Sequence, residues 1–328
     1  MEIRPATDAD IPAIVTLLKQ SLGESLMPKS DRYWRWKHVE NPFGPSPVLL
    51  CLENGELIGV RAFMRWEWYR QGQRFKAVRA VDTATHPDHQ GKGIFKNLTL
   101  SLVKSCTQEG DDFVFNTPNQ QSKPGYLKMG WMEAGRLPVR LGIRRPFHML
   151  KNIVAGNGAG LPDETSDLAN HLNHPQLAEL CQDHLAQMND TTTHISPHYL
   201  RWRYQDVPVA AYVAAAEEKN GKLTGLLVGR IKVSRLGREL RVTDCFLRGD
   251  NAGKDLMKQL RTHKKKWNYD YITVAGTLSP AATRLFAPGT VKLSKGPIVT
   301  VRPLALTNLG ALMNFNQWSP SLGDLELF

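Results

Sequence analysis

The chain repeats itself, and this constrains its fold more than any other feature. Tyr33-Trp34-Arg35-Trp36-Lys37 returns as Tyr199-Leu200-Arg201-Trp202-Arg203, a shift of 166 positions. The same shift carries Pro42 to Pro208, Asn54-Gly55 to Asn220-Gly221, and Leu57-Ile58-Gly59 to Leu223-Thr224-Gly225. Further on, Arg79-Ala80-Val81-Asp82 meets Arg241-Val242-Thr243-Asp244 at a shift of 162. That register also matches Asp88 with Asp250, Gly91-Lys92 with Gly253-Lys254, and Leu98 with Leu260. Gly130 and Pro138 meet Gly289 and Pro297 at 159. Each drop in the shift falls where a loop tolerates a change of length. The chain therefore reads as a duplication of one α/β unit, and its 328 residues let each copy bury its own core.

In the first copy, Glu2–Arg4 reads as a strand. Thr7-Asp8 caps a helix that carries Ile11, Ile14, Val15, Leu18 and Leu22 at helical spacing. A second helix is expected from Asp31 to Val39. Val48–Glu53 and Leu57–Phe63 read as strands around the Asn54-Gly55 turn. Two more strands, Trp66–Tyr69 and Phe75–Thr85, turn at Gln71-Gly72. A helix follows from about Gly93 to Cys106, then a buried strand at Phe113-Val114-Phe115 and a short helix at Tyr126-Leu127. Two closing strands flank Pro138, so the expected class is α+β, with mixed, mostly antiparallel sheets flanked by helices. Turn-forming sequence that includes Gly156-Asn157-Gly158-Ala159-Gly160 makes residues 149–174 an expected connector between a domain at 1–148 and a second at 175–328.

Composition narrows the classes without choosing among them. Hydrophobic residues make up 41% and charged residues 22%, ordinary for a globular chain. No run of about 18 apolar residues occurs, and the N-terminus lacks a basic-then-apolar leader pattern; the expectation is a cytoplasmic protein with no membrane partner. Cys51, Cys106, Cys181 and Cys245 lie far apart without C-x-x-C spacing, so reduced thiols are expected, and no metal. The net charge of +11 suits anions of any kind. Its densest run, His263-Lys264-Lys265-Lys266, suits the negative end of a helix.

The chemistry is carried by Thr85-His86-Pro87-Asp88-His89-Gln90-Gly91-Lys92-Gly93-Ile94-Phe95. A strand runs into a glycine turn that opens an amphipathic helix. The first helical N–H groups lack internal partners, glycines admit a ligand to the backbone, and Lys92 adds charge, so the segment is a cradle for an anion such as pyrophosphate.

This segment resembles the GNAT superfamily of acetyl-CoA-dependent N-acyltransferases, whose phosphate motif is Gln/Arg-x-x-Gly-x-Gly/Ala. Gln90, Gly93 and the preceding Pro87 match, while Phe95 replaces the last small residue. The opening Ile3-Arg4-Pro5-Ala6-Thr7 with Asp10-Ile11, and Tyr126-Leu127-Lys128-Met129-Gly130-Trp131, resemble further family landmarks. The resemblance covers residues 1–145 and implies two GNAT-like domains, of which the first binds acetyl-CoA. It assigns the cofactor to Thr83, Ala84, Thr85, Gln90, Gly91, Lys92, Gly93, Ile94 and Phe95, with Asn119 on the pantetheine arm. It makes Tyr126 the general acid and Asp82 a candidate general base, with Glu67, His86 or a water chain as alternatives.

In the second copy Gln90-Gly91-Lys92-Gly93 becomes Ala252-Gly253-Lys254-Asp255, and Leu285-Phe286 stand near the position of Tyr126. Asp255 is expected to fill and repel a phosphate position, leaving this copy without CoA. The repeated aromatics Trp34, Trp36 and Trp202 are expected in the core. Trp66 and Trp68 suit either a cleft wall or strand packing. The function expected is acetyl transfer to a primary amine of a small molecule or amino sugar. A Fem-type aminoacyltransferase using aminoacyl-tRNA and a non-catalytic CoA-binding protein are the alternatives. Nucleic acid is not favoured as a partner, because the Gln90-x-x-Gly93 loop serves CoA.

Overall fold

The computed structural model describes residues 1–23, 28–155, 167–249, 252–276, 279–294 and 296–325. It begins with strand β1 (Glu2–Pro5), helix α1 (Ile11–Leu22) and helix α2 (Asp31–His38). Thr7 precedes a single 3-10 turn rather than α1 itself, and Ser30 caps α2 by accepting from the Tyr33 amide. Next come β2 (Val48–Glu53), β3 (Glu56–Arg70) and β4 (Gln73–Thr85). The two short strands expected before Gln71-Gly72 are one strand of 15 residues, because Met64 and Arg65 continue the pairing with β4. Then follow α3 (Ile94–Gln108), β5 (Phe113–Asn116), α4 (Lys123–Lys128), β6 (Met132–Arg136) and β7 (Val139–Ile143). Within residues 149–174 lie the end of α5 (Pro146–Ala155) and all of α6 (Leu168–Leu172). The glycine-rich stretch itself falls outside the described residues.

The second half repeats that order from its first long helix on, except that a two-residue strand stands between its first two helices and none before them. It comprises α7 (Leu177–Gln187), β8 (Thr192–Thr193), α8 (Pro197–Leu200), β9 (Val213–Lys219), β10 (Lys222–Ser234) and β11 (Gly237–Leu247). After these come α9 (Lys254–Lys266), β12 (Tyr271–Ala275), α10 (Pro280–Phe286), β13 (Val291–Leu293), β14 (Ile298–Pro303) and α11 (Leu322–Leu325). Ser196 caps α8 through Tyr199, as Ser30 caps α2 through Tyr33. Asn54 and Asn220 both take the left-handed conformation their hairpin turns require. Asp250 lies outside the described residues. The basic run forms the last turn of α9.

The two sheets do not divide at the expected boundary. The first has the order β1-β2-β3-β4-β5-β14-β6 and the second β13-β7-β12-β11-β10-β9. Each strand after the two equivalent prolines, Pro138 and Pro297, crosses into the other copy's sheet. There β7 pairs with β12 and β13, while β14 pairs with β5 and β6. The crossing is tight: Leu137 N–H donates to Pro297 O at 3.0 Å, and a Cβ at Gly296 would collide with the Leu137 carbonyl. The aromatic helices pack on one another as a near-symmetric pair. Trp36 and Trp202 stack with centroids 4.7 Å apart, and each indole N–H donates to the other's carbonyl, at 2.7 and 2.8 Å. Both are buried, as are Trp34, Trp66 and Trp68; Trp68 packs against Phe115 and Trp318, while Trp66 packs against Phe115 and Tyr199 and also lines a pocket with Phe43 and Glu67.

Candidate active site

The site begins where β4 outruns its parallel neighbour. Pairing of β4 with β5 covers Ala77–Arg79 only, yet β4 continues to Thr85. The free edge of Thr83-Ala84-Thr85 and the start of α3 line one cleft of about 700 Å³. Gln90, Gly91, Gly93, Ile94, Phe95 and Asn119 also line it. Gly91 and Gly93 both have left-handed backbones, with φ of 76° and 77°. A Cβ on either would meet no atom within 4 Å, so the cleft is open beside this turn. Lys92 departs from expectation: its ammonium turns to Glu53 and His89, and it does not line the cleft. The cation that does is Lys96, one helical turn on, which a motif-based reading passes over because it lies past the glycines. Ser21 of α1 also reaches the cleft and donates to the Thr85 carbonyl at 3.0 Å.

A second pocket of about 420 Å³ continues from the cleft, sharing Thr83, Asn119 and Ser122 with it. Asn119 caps the turn before α4 by accepting from the Ser122 amide at 2.8 Å. This fixes the short helix that carries Tyr126. The tyrosine is buried among Phe95, Trp131 and Arg61, and its Oη accepts from Arg61 Nη2 at 2.6 Å. Arg61 was not legible as a site residue, since it reads as a polar interruption of an apolar strand. It is fully buried, and its partners among the described residues are neutral: the Val81 carbonyl, Tyr126 and the rings of Phe63 and Phe95. Phe95 thus packs edge-on against Tyr126 instead of leaving a small residue at the end of the motif.

Asp82 lies in this second pocket but not as a free base. It is the extra residue of a β-bulge, with φ of 25°. Its Oδ2 receives Lys37 Nζ at 2.6 Å and His38 Nε2 at 2.7 Å. Burial would push its carboxyl up, but Lys37 and then His38 more than offset this and hold it well below the usual carboxylate range. His38 is itself pushed down by burial, so it donates as a neutral ring whose Nδ1 faces Ser46. The remaining candidate bases fall elsewhere. Glu67 pairs with His194 and Arg74 and lines a separate pocket near Trp66. His86 accepts from the Asp88 amide and lines neither pocket.

In the second copy the group that meets the helix start is Glu217, not Asp255. Asp255 is exposed, and its own amide donates to Glu217 at 2.9 Å. Leu285 lies directly against Gly253.

The cleft thus runs from the glycine turn along the free edge of β4 to the pocket of a buried phenol. In comparison with known proteins, residues 2–134 match the acetyltransferase (GNAT) domain. That match spans the first copy, which carries a GNAT acetyltransferase domain. The chain is 26% identical over 147 residues to the L-amino acid N-acyltransferase MnaT of Escherichia coli, covering 42% of this chain and 83% of that one. It is 29% identical over 116 residues to the L-methionine sulfoximine/L-methionine sulfone acetyltransferase of Salmonella typhimurium, covering 34% and 66%. Two solved structures share the fold over nearly the whole chain. A GCN5-related N-acetyltransferase from Anabaena variabilis has a TM-score of 0.68 at 16% identity, covering 92% of this chain and 73% of that one. Eis1 from Mycobacterium abscessus has a TM-score of 0.59 at 14% identity, covering 95% and 76%. Among the described residues no cluster suited to a metal ion occurs, no helix is long and apolar enough to cross a membrane, and all four cysteines are buried and free.

Proposed function

We propose that the first copy transfers an acetyl group from acetyl-CoA to the primary amine of a small molecule or amino sugar. The observation that carries this is the continuity of the two pockets: the glycine cradle and the free edge of β4 run into the space that holds Tyr126. The open amides of the Gly91–Gly93 turn suit the pyrophosphate, and Thr83-Ala84-Thr85 with Asn119 suit the pantetheine arm. The curated relatives are named for acting on L-amino acids and on methionine sulfoximine or sulfone, which supports a small amine acceptor.

The amine enters the second pocket and attacks the thioester carbonyl while both are held there. Among the described residues, Lys37, Arg61, Arg79 and Asp82 line that pocket, with Lys37 paired to Asp82. The buried Arg61 guanidinium, whose partners among the described residues are neutral, favours the neutral, nucleophilic form of an amine bound beside it, and the amine's proton leaves to water. The C–N bond forms, the C–S bond breaks, and Tyr126 gives its proton to the departing thiolate. Arg61 occupies an acceptor site on Tyr126 Oη, which leaves the phenolic O–H free to point at sulfur. Asp82 then serves to hold Lys37 and α2 in place.

Two measurements test the reading. Acetyl-CoA at about 100 times its Kd stabilises wild-type protein by roughly 2.7 kcal/mol, and Gly93→Asp, which sets a carboxylate in the cradle, abolishes the thermal shift. Release of free CoA thiol across a panel of amines then identifies the acceptor. No shift with wild type, or equal shifts for both proteins, overturns the proposal.

A further inference from the structure

We infer that Glu217 is a built-in ligand for the second copy's anion cradle, its carboxylate standing where a phosphate would bind. Its Oε2 accepts from three backbone amides at the start of α9: Gly253 at 2.8 Å, Asp255 at 2.9 Å and Leu256 at 3.3 Å. At the shift of 162 these are Gly91, Gly93 and Ile94, all of which line the open cleft of the first copy. One carboxylate therefore takes up the group of donors that the first copy leaves exposed to its ligand.

The register of the sheets identifies what differs. Glu217 stands opposite Gly225 on the β9–β10 pair, and Cys51 stands opposite Gly59 on the β2–β3 pair. Each glycine faces the start of the following helix and its partner on the neighbouring strand. A Cβ at Gly59 would meet Ile94 and Cys51, and one at Gly225 would meet Leu256 and Glu217. Cys51 and Glu217 are thus equivalent in space as well as at the shift of 166. The first copy has a short neutral side chain there, and the second a carboxylate long enough to reach the amides. Glu217 is fully buried, and its other oxygen is held by Lys219 at 2.9 Å and Thr224 at 3.2 Å. Burial would push its carboxyl up, but Lys219 and the amides of Asp255 and Leu256 keep it below the usual range. An anion is what the positive end of a helix favours, and here the fold supplies its own. Leu285, at the position of Tyr126, covers the same glycine. The second copy keeps the cradle as a structural joint and has one permanent occupant.

The test has two arms. Glu217→Ala should melt lower than wild type by roughly 5 °C or more. Sodium formate or phosphate should restore part of that loss, beyond sodium chloride of equal ionic strength, and should leave wild type unmoved. No loss, or a loss indifferent to both anions, overturns the inference. The second arm rests on the acyl-CoA reading: Cys51→Glu should fold with undiminished Tm yet weaken acetyl-CoA binding at least 100-fold. Cys51→Met, similar in bulk but uncharged, should weaken it less than 10-fold. A Cys51→Glu protein that binds acetyl-CoA like wild type overturns the inference. If wild type binds no acetyl-CoA, the functional proposal fails while the Glu217 arm still decides this one.

Discussion

At the residue scale, the contact between Arg61 and Tyr126 governs the proposed chemistry. Tyr126→Phe keeps the packing against Phe95 and Trp131 but removes the proton donor. Steady-state kinetics should show kcat reduced by about 10²–10⁴, with the KM for acetyl-CoA changed little. A Tyr126→Phe enzyme of wild-type kcat would remove the phenol from the mechanism. A second residue-scale effect lies in His184, buried edge-on against Phe246, where burial pushes its pKa down to about 4. As pH falls the unfolded chain protonates this histidine near 6.5 and the folded one only near 4. Between these values the unfolded state holds the extra proton, so stability falls with falling pH, by up to about 3 kcal/mol over the full window. Denaturation curves at pH 7 and pH 5 should therefore differ less for His184→Leu than for wild type; an unchanged difference contradicts the assignment. Tyr126 was legible because a tyrosine before Lys128-Met129-Gly130 has a family signature. Arg61 and Glu217 were not. An arginine inside Gly59-Val60-Arg61-Ala62-Phe63, or a glutamate at a strand end, gains meaning only from side chains far away in sequence.

At the element scale, hairpins and helix caps were readable because they are local: Asn54-Gly55 sets its turn, and the apolar period sets α1 and α3. The exchange of β7 and β14 was not readable. Both strands have ordinary alternation, and which sheet they join depends on the crossing at Leu137, Gly296 and Pro297. The crossed pair of Trp36 and Trp202 holds the two copies together at their aromatic helices. Trp36→Ala and Trp202→Ala should each cost about 3–5 kcal/mol. The double variant should cost less than their sum, by 0.5–3 kcal/mol, because each ring stacks on the other and bonds the other's backbone. Additive losses in a double-mutant cycle would show that the stack contributes no coupling.

At the scale of the whole molecule, strand exchange means neither sheet is complete without chain from the other copy. Heating should give one calorimetric transition whose van't Hoff and calorimetric enthalpies agree; two separated transitions would show independent halves. The internal repeat of residues was legible from the first alignment of the aromatic helices, and the fold class with it. What the sequence hid was the basis of the asymmetry. Both copies keep the glycine turn, but the first leaves its amides open and the second closes them with Glu217. The central claim is thus one acyl-CoA site per chain, in the first copy. Isothermal titration with acetyl-CoA tests it most directly. One molecule bound per chain in wild type and none in Gly93→Asp is the predicted result. Two molecules per chain, or binding that survives Gly93→Asp unchanged, would contradict it.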